Sequence, residues 1–234
     1  METKTLIAVV TCWSRLDSWA QCVRDTWLPL VPKSKADAVF FVGRGDAELP
    51  EKTVKLECDD SYQGLPEKVR EIARWAKEHE YDFMLKCDDD TVVDPARLLS
   101  SRYEDHEYIG RANRPPQPYV VPMGFNYWLS KKCIEIVSES PLPLDGSNDD
   151  EKWVAKNLWD HGIALTDDFR YALHTKLLEP PKRELRNPRA LRRDFYIPLP
   201  EKEPDYCSRC IYLQESLEVK LEEFKKVFDR YRST

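Results

Sequence analysis

Glycine is scarce in this chain, at seven of 234 residues, and none of the seven falls into a G-x-G-x-x-G or Walker-type pattern. That absence excludes phosphate loops built on glycine-rich backbone. No apolar run approaches the roughly 18 residues that a membrane span requires. No Asn-x-Ser/Thr acceptor occurs, so nothing hints at secretion. Met1-Glu2-Thr3-Lys4 runs directly into a strand-like segment without a signal-peptide pattern. Positive charge is in deficit, with 36 Lys and Arg against 42 Asp and Glu and a net charge of -6. That balance argues against non-specific nucleic-acid binding. A disulfide framework is missing as well. The seven cysteines are odd in number and scattered apart from one C-x-x-C. Such usage suits reduced thiols, and the expected location is cytoplasmic.

What is present describes a soluble globular protein with a busy surface, 33% charged and 41% hydrophobic. Its length suits one α/β domain, alone or with an appendage. The chain is organised around Tyr81 to Asp94, YDFMLKCDDDTVVD. Phe83-Met84-Leu85 reads as a buried strand that delivers Asp88, Asp89 and Asp90 to a sheet edge. Ligands of open α/β sheets bind beyond the carboxyl ends of strands. Three adjacent carboxylates repel one another unless a cation sits between them, and hard oxygen ligands suit Mg²⁺ or Mn²⁺. The plainer reading is an acidic turn in which Asp94 caps the next helix. The two are compatible.

Lys4 to Cys12 reads as a central parallel strand, and Trp13-Ser14-Arg15 as the loop at its end. Asp17 to Trp27 reads as a helix containing Arg24. Strands follow at Ala36–Gly43 and Val54–Cys58, then a helix from Leu65-Pro66 to about His79, with proline suitably near its first turn. After the aspartates come a short helix to about Ser101, a short strand at Tyr108–Gly110 and a Pro- and Arg-rich loop over 111–122. Met123–Leu129 reads as a strand, with Ser130 capping a helix through Ile136. Asn148-Asp149-Asp150-Glu151 opens a helix to His161 that Gly162 stops, and Ile163–Leu165 reads as a strand. Strands alternating with helices predict an α/β fold with a mostly parallel sheet. The compact part is expected to end near Pro180-Pro181. Beyond it, Lys182 to Arg193 carries six basic residues against one Glu and reads as a solvated linker. Cys207-Ser208-Arg209-Cys210 is a weak zinc or redox signal. Leu213 to Tyr231 is amphipathic, and it either packs back on the domain or pairs with a second copy of the chain.

Several of these pieces resemble one family. They are Arg24-Asp25-Thr26-Trp27, Phe41-Val42-Gly43, Asp60-Ser61-Tyr62 with Leu65 and Lys68, Lys86-x-Asp88-Asp89-Asp90, the aromatic stretch Pro122 to Ser130, and Asp150-Glu151 with Val154, Leu158 and Gly162-Ile163. Their order is similar to that of the β-1,3-galactosyltransferase and Fringe type of nucleotide-sugar glycosyltransferase, which has the GT-A fold. The resemblance covers residues 5 to about 180. Here the acidic pair reads Asp-Glu, and Ala155 stands where the family carries glycine. The family's membrane anchor and disulfides have no counterpart here, so the acceptor is not carried over.

The resemblance implies an α/β, GT-A-like domain over 1–181; the basic linker and helix over 182–234, read from charge and apolar spacing, have no counterpart in it. It implies a metal-dependent inverting transfer from a nucleotide sugar, UDP-linked, to a hydroxyl-bearing acceptor. Asp90 and Asp88 would hold Mn²⁺ or Mg²⁺, with His174 as a further ligand. Asp88, Asp89, Arg24 and Lys68 would serve the donor. Glu151 aligns with the base, with Asp150 and Asp149 as adjacent alternatives. Each also has a bland reading: a structural histidine, an ordinary surface cation, or acids that favour a helix N-terminus. Two other classes compete. Asp88-x-Asp90-x-Val92 fits the nucleophile pattern of a Mg²⁺-dependent, haloacid-dehalogenase-like phosphatase, although that strand should come first in its domain. An EF-hand counted from Asp88 would need Gly and Glu where Val93 and Leu99 stand.

Overall fold

The computed structural model describes residues 3–113, 118–144, 146–168, 170–174, 208–211 and 217–233. Strand β1, Thr5–Val10, is buried along its whole length, because apolar residues occupy both of its faces. Alternation sends Leu6, Ala8 and Val10 into one core and Ile7 and Val9 into another. Strands β2 (Asp37–Val42) and β4 (Phe83–Asp88) pair with β1 in parallel on either side, and β3 (Thr53–Lys55) pairs in parallel with β2. Strand β7, Val121–Ser130, lies antiparallel between β4 and β6, Tyr108–Asn113, and the two-residue β8, Thr166–Asp167, closes the edge in parallel with β6. The seven-stranded order is β3-β2-β1-β4-β7-β6-β8, mixed but mostly parallel. Its central strand, β4, carries Asp88, Asp89 and Asp90 to one edge.

One face is covered by α2 (Leu65–Glu78), α4 (Lys131–Glu139) and α5 (Asp150–Asp160). Helix α2 buries Val69, Ile72, Ala73 and Ala76 at helical spacing. Ser130 accepts from the Cys133 amide and Asp149 from the Lys152 amide, so each caps its helix, and Gly162, with φ of 76°, lets the chain leave α5. Asp94 accepts from the amides of Ala96 and Arg97 at the start of α3, Pro95–Leu99, so the capping reading of that aspartate holds beside any other role of the triplet.

The other face differs from expectation in two places. The helix expected over Asp17–Trp27 is broken into a π-turn at Leu16–Ala20 and a short α1, Gln21–Asp25. It ends because the Thr26 backbone leaves the helical region, while its hydroxyl donates back to the Cys22 carbonyl at 2.6 Å. The turn frees Trp27 to enter the core and donate its indole N–H to the Thr91 carbonyl. The second difference is a separate sheet. Strand β5, Thr91–Val93, pairs antiparallel with β10, Ser208–Ile211, which pairs in parallel with β9, Tyr171–His174. The chain beyond Pro181 therefore returns to the strand that follows the aspartates.

Helix α6, Leu217–Ser233, packs back on the same face. It buries Phe224, Val227 and Phe228, with Phe224 edge-on to Trp19 at 6.1 Å. The strand expected at Ile163–Leu165 falls instead at Thr166–Asp167, where Asp167 accepts from the Ala112 amide and Arg111. Residues 114–117 and the linker over 182–207, including Cys207, lie outside the described residues. Among the described residues, no helix is long and apolar enough to cross a membrane.

Candidate active site

The carboxyl ends of β1, β2 and β4 meet at one edge, and buried charge is concentrated there. Lys86 is enclosed in β4, where an unpaired ammonium would be prohibitive. Its Nζ lies 2.7 Å from Asp88 Oδ1 and 3.6 Å from Asp150 Oδ2, and it donates to the Gly124 carbonyl. Burial opposes the charge on Lys86, but Asp150 and Asp88 outweigh that and raise its pKa. The ammonium thus joins the end of β4 to the first turn of α5. Asp150 is buried as well and accepts from the Tyr127 hydroxyl at 3.3 Å.

The three aspartates have different surroundings. Asp89 is buried: Oδ2 accepts from Thr11 Oγ1 at 2.6 Å and Oδ1 faces Arg15 at 2.6 Å. Asp88 and Asp90 keep part of their side chains open, 33% and 24%. Burial raises the Asp89 carboxyl and, less so because a third of it is open, that of Asp88, with Lys86 and Arg15 opposing this and Asp90 adding to it. Glu151 follows Asp150 in α5, and burial together with the charge of Asp150 pushes its carboxyl up to about 8. That carboxylate lies against Gly124, where an added Cβ would come within 2.7 Å of Oε1. Strand β7 bulges here, its register against β6 shifting between Gly110 and Ala112.

Among the described residues, no three acidic, histidine or cysteine side chains converge into a ready-made metal cluster. Two partly open carboxylates, Asp88 and Asp90, are of the hard-oxygen type that would suit Mg²⁺ or Mn²⁺ if substrate phosphates completed the coordination. His174 ends β9, and its imidazole lies outside the described residues.

The two proposed cations sit differently from the triplet's own partners. Lys68 is buried and donates to Asp60 Oδ1 at 2.7 Å and to the Thr11 carbonyl at 2.9 Å. Asp60 also accepts from the amides of Gly43 and Trp13, at 2.6 and 2.7 Å, so this carboxylate knots together the exits of β1 and β2. Gly43 is required there, since an added Cβ would meet the Cys58 carbonyl at 2.7 Å. Arg24 faces the other way, donating to Thr53 Oγ1 at 2.9 Å with its guanidinium 4.1 Å from the Phe40 ring centroid. It is not brought to the triplet. Sequence reasoning gave no part to Arg15, Thr11 or Gly124. Lys86 had a usable signal, because a lysine inside an apolar strand demands buried partners.

No family model matches the chain, and no curated protein matches it. Among solved structures, it is similar to a glycosyltransferase involved in the glycosylation of the major capsid of PBCV-1, with a TM-score of 0.56 at 10% identity over 96% of this chain and 99% of that one. A candidate nucleotide-diphospho-sugar transferase from Desulfovibrio desulfuricans G20 gives a TM-score of 0.48 at 16% identity, over 71% of this chain and 80% of that one. At such identities the likeness is one of fold, and the first comparison carries it. The chain has a GT-A-like fold, a mostly parallel mixed sheet flanked by helices with a helix at its C-terminal end. The likeness reaches the glycosyltransferase fold in general and not the β-1,3-galactosyltransferase and Fringe type in particular.

Proposed function

We propose that a chain with this fold and this acidic sheet edge is a glycosyltransferase that moves a sugar from a UDP-sugar to a hydroxyl acceptor, with inversion and with Mn²⁺ or Mg²⁺. The observation that carries the reading is the Lys86 bridge. One buried ammonium contacts Asp88 on the donor side and Asp150 beside the candidate base, so both carboxylates gather around one charge. Asp90 and Asp88 would hold the cation, with His174 as the further candidate. When bound, the cation supplies Lewis-acid neutralisation of the departing diphosphate.

The remaining work falls to the chain's own groups. Lys86 stays protonated and fixes the orientation of Asp88 and Asp150. Glu151 takes the proton of the acceptor hydroxyl as the new bond forms, and its raised pKa suits a base operating near neutrality. Asp89 and Lys68 support the donor indirectly, by holding the strand exits on which it would rest. Arg24 braces the β2–β3 side of the framework. The strand order disfavours the phosphatase alternative, since three strands precede the one bearing the aspartates.

The test is thermal stabilisation. UDP with Mn²⁺, at about a hundredfold excess over Kd, is expected to raise the melting temperature by about 5–10 °C. Asp90→Asn is expected to abolish the Mn²⁺-dependent part while melting normally on its own. A UDP effect that is the same with and without Mn²⁺ would remove the triplet from the site. Nucleotide-sugar hydrolysis across a donor panel then identifies the sugar.

Gly124 offers a finer probe. Gly124→Ala places a methyl against a flexible carboxylate, so the fold should tolerate it while Glu151 is displaced. A misplacement near 1 Å costs about a hundredfold in rate. Unchanged transfer by Gly124→Ala would show that this resting position of Glu151 is not the working one.

A further inference from the structure

Arg15 occupies an unusual position. It leaves the short 3-10 turn Trp13–Arg15 that follows β1 and reaches Asp89 and Asp90, whereas Lys86 reaches Asp88. A single nitrogen, Nη2, lies 2.6 Å from Asp89 Oδ1 and 3.1 Å from Asp90 Oδ2. The guanidinium carbon sits 5.2 Å from the Trp19 ring centroid. The side chain is still 34% exposed, so the group has a path outward. Its Nε is buried and has no hydrogen-bond partner among the described residues. A buried donor without an acceptor is costly, so this pose leaves the arginine one hydrogen bond short. Asp89 has a second support in Thr11 and remains fixed if the arginine departs. Immediately after Arg15 the chain makes its π-turn, a local loosening of the helical ladder that recurs at functional sites.

We propose that Arg15 is a resting counter-ion of Asp89 and Asp90, holding Asp90 against a divalent cation until a diphosphate draws the guanidinium away. The inference rests on the nucleotide-sugar reading and assigns to this chain an order of binding. A cation arriving alone must displace a guanidinium from Asp90. A diphosphate offers that planar guanidinium two oxygens to bind at once, the bidentate geometry in which arginine binds best. Cation and nucleotide therefore assist each other, and the coupling is reciprocal. Arg15 is a positioning residue here. It acts through Asp90 on the cation and through its own donors on the nucleotide.

The test needs no turnover. Mn²⁺ and UDP are titrated singly and together into the wild-type chain, Arg15→Gln and Arg15→Lys, by calorimetry and by the Mn²⁺ paramagnetic signal. Melting in EDTA serves as the check on folding. Arg15→Gln is expected to bind Mn²⁺ alone about tenfold more tightly than wild type, the equivalent of one charge-assisted hydrogen bond. The enhancement of Mn²⁺ affinity by UDP should fall by about the same factor. Arg15→Lys keeps the charge without the fork and should lie between the two. If Arg15→Gln matches wild type both in Mn²⁺ affinity and in its enhancement by UDP, the inference is wrong, while the nucleotide-sugar reading stands on the wild-type synergy. If the wild-type chain binds neither Mn²⁺ nor UDP, both are overturned.

Discussion

Glu151→Gln is expected to lower sugar transfer by about a hundredfold to ten-thousandfold, the usual contribution of a general base. Donor and cation binding should remain close to wild type, because the lost interaction belongs to the transition state. The substitution preserves shape, so the carboxamide can still lie against Gly124. The pH dependence follows from the raised pKa of this carboxyl. A base must be ionised to act, so kcat/KM for the wild type should climb as pH rises through about 8, and that limb should vanish in Glu151→Gln. Stability runs the other way. Because the folded pKa of Glu151 lies above its ordinary value of 4.5, the folded state holds the extra proton between those values. Its contribution favours folding at low pH and is lost as pH rises through that window. Asp150→Asn separates the two acids. Asp150 is buried on Lys86 and Tyr127, so its loss should lower stability as well as rate. A larger rate loss in Asp150→Asn than in Glu151→Gln, with normal melting, would move the base to Asp150.

The second large effect concerns the C-terminal segment. A chain ending at Pro204 loses both β10 and α6. Phe224, Val227 and Phe228 would leave the core, and at about 1.5–3 kcal/mol for each fully buried large apolar side chain the loss is comparable with the whole stability of a typical domain. Trp19 would lose its aromatic neighbour, and β5 and β9 would lose the strand between them. The truncated chain should aggregate or melt far below the full chain, measured by thermal unfolding and by mass in solution. A soluble truncated chain with the same mass and melting point would show that the helix is dispensable.

The framework was legible in the sequence wherever one local signal decided it. An apolar run buried on both faces made β1 readable. The helical spacing of Val69, Ile72, Ala73 and Ala76 made α2 readable, and Ser130, Asp149 and Gly162 marked helix ends. The acidic edge was legible too, because three consecutive carboxylates after an apolar run repel one another and demand positive charge nearby. What pattern could not supply was pairing across distance. Arg209 sits opposite Val92, and no periodicity within 208–211 says so. Arg15 escaped for a related reason: in sequence it is one cation in a loop, and only the fold brings it to Asp89 and Asp90. The broken first helix escaped because Asp17–Trp27 keeps a helical pattern, while the demand of Trp27 for the core and for the Thr91 carbonyl is tertiary.

The pairing of β10 with β5 also sets an order of events during synthesis. The N-terminal portion of a chain emerges first and begins to organise first. Strands β1 to β4 and their helices can assemble from neighbouring segments, whereas Thr91–Val93, directly after the aspartates, must wait for Ser208–Ile211 to be made and to close a long loop. The segment directly beside the acidic edge therefore gains its strand partner only after the residues of that edge have been made. A nascent chain stalled before its final strand carries every residue of the Asp88–Asp90 and Asp150–Glu151 groups without the wall that steadies the segment beside them.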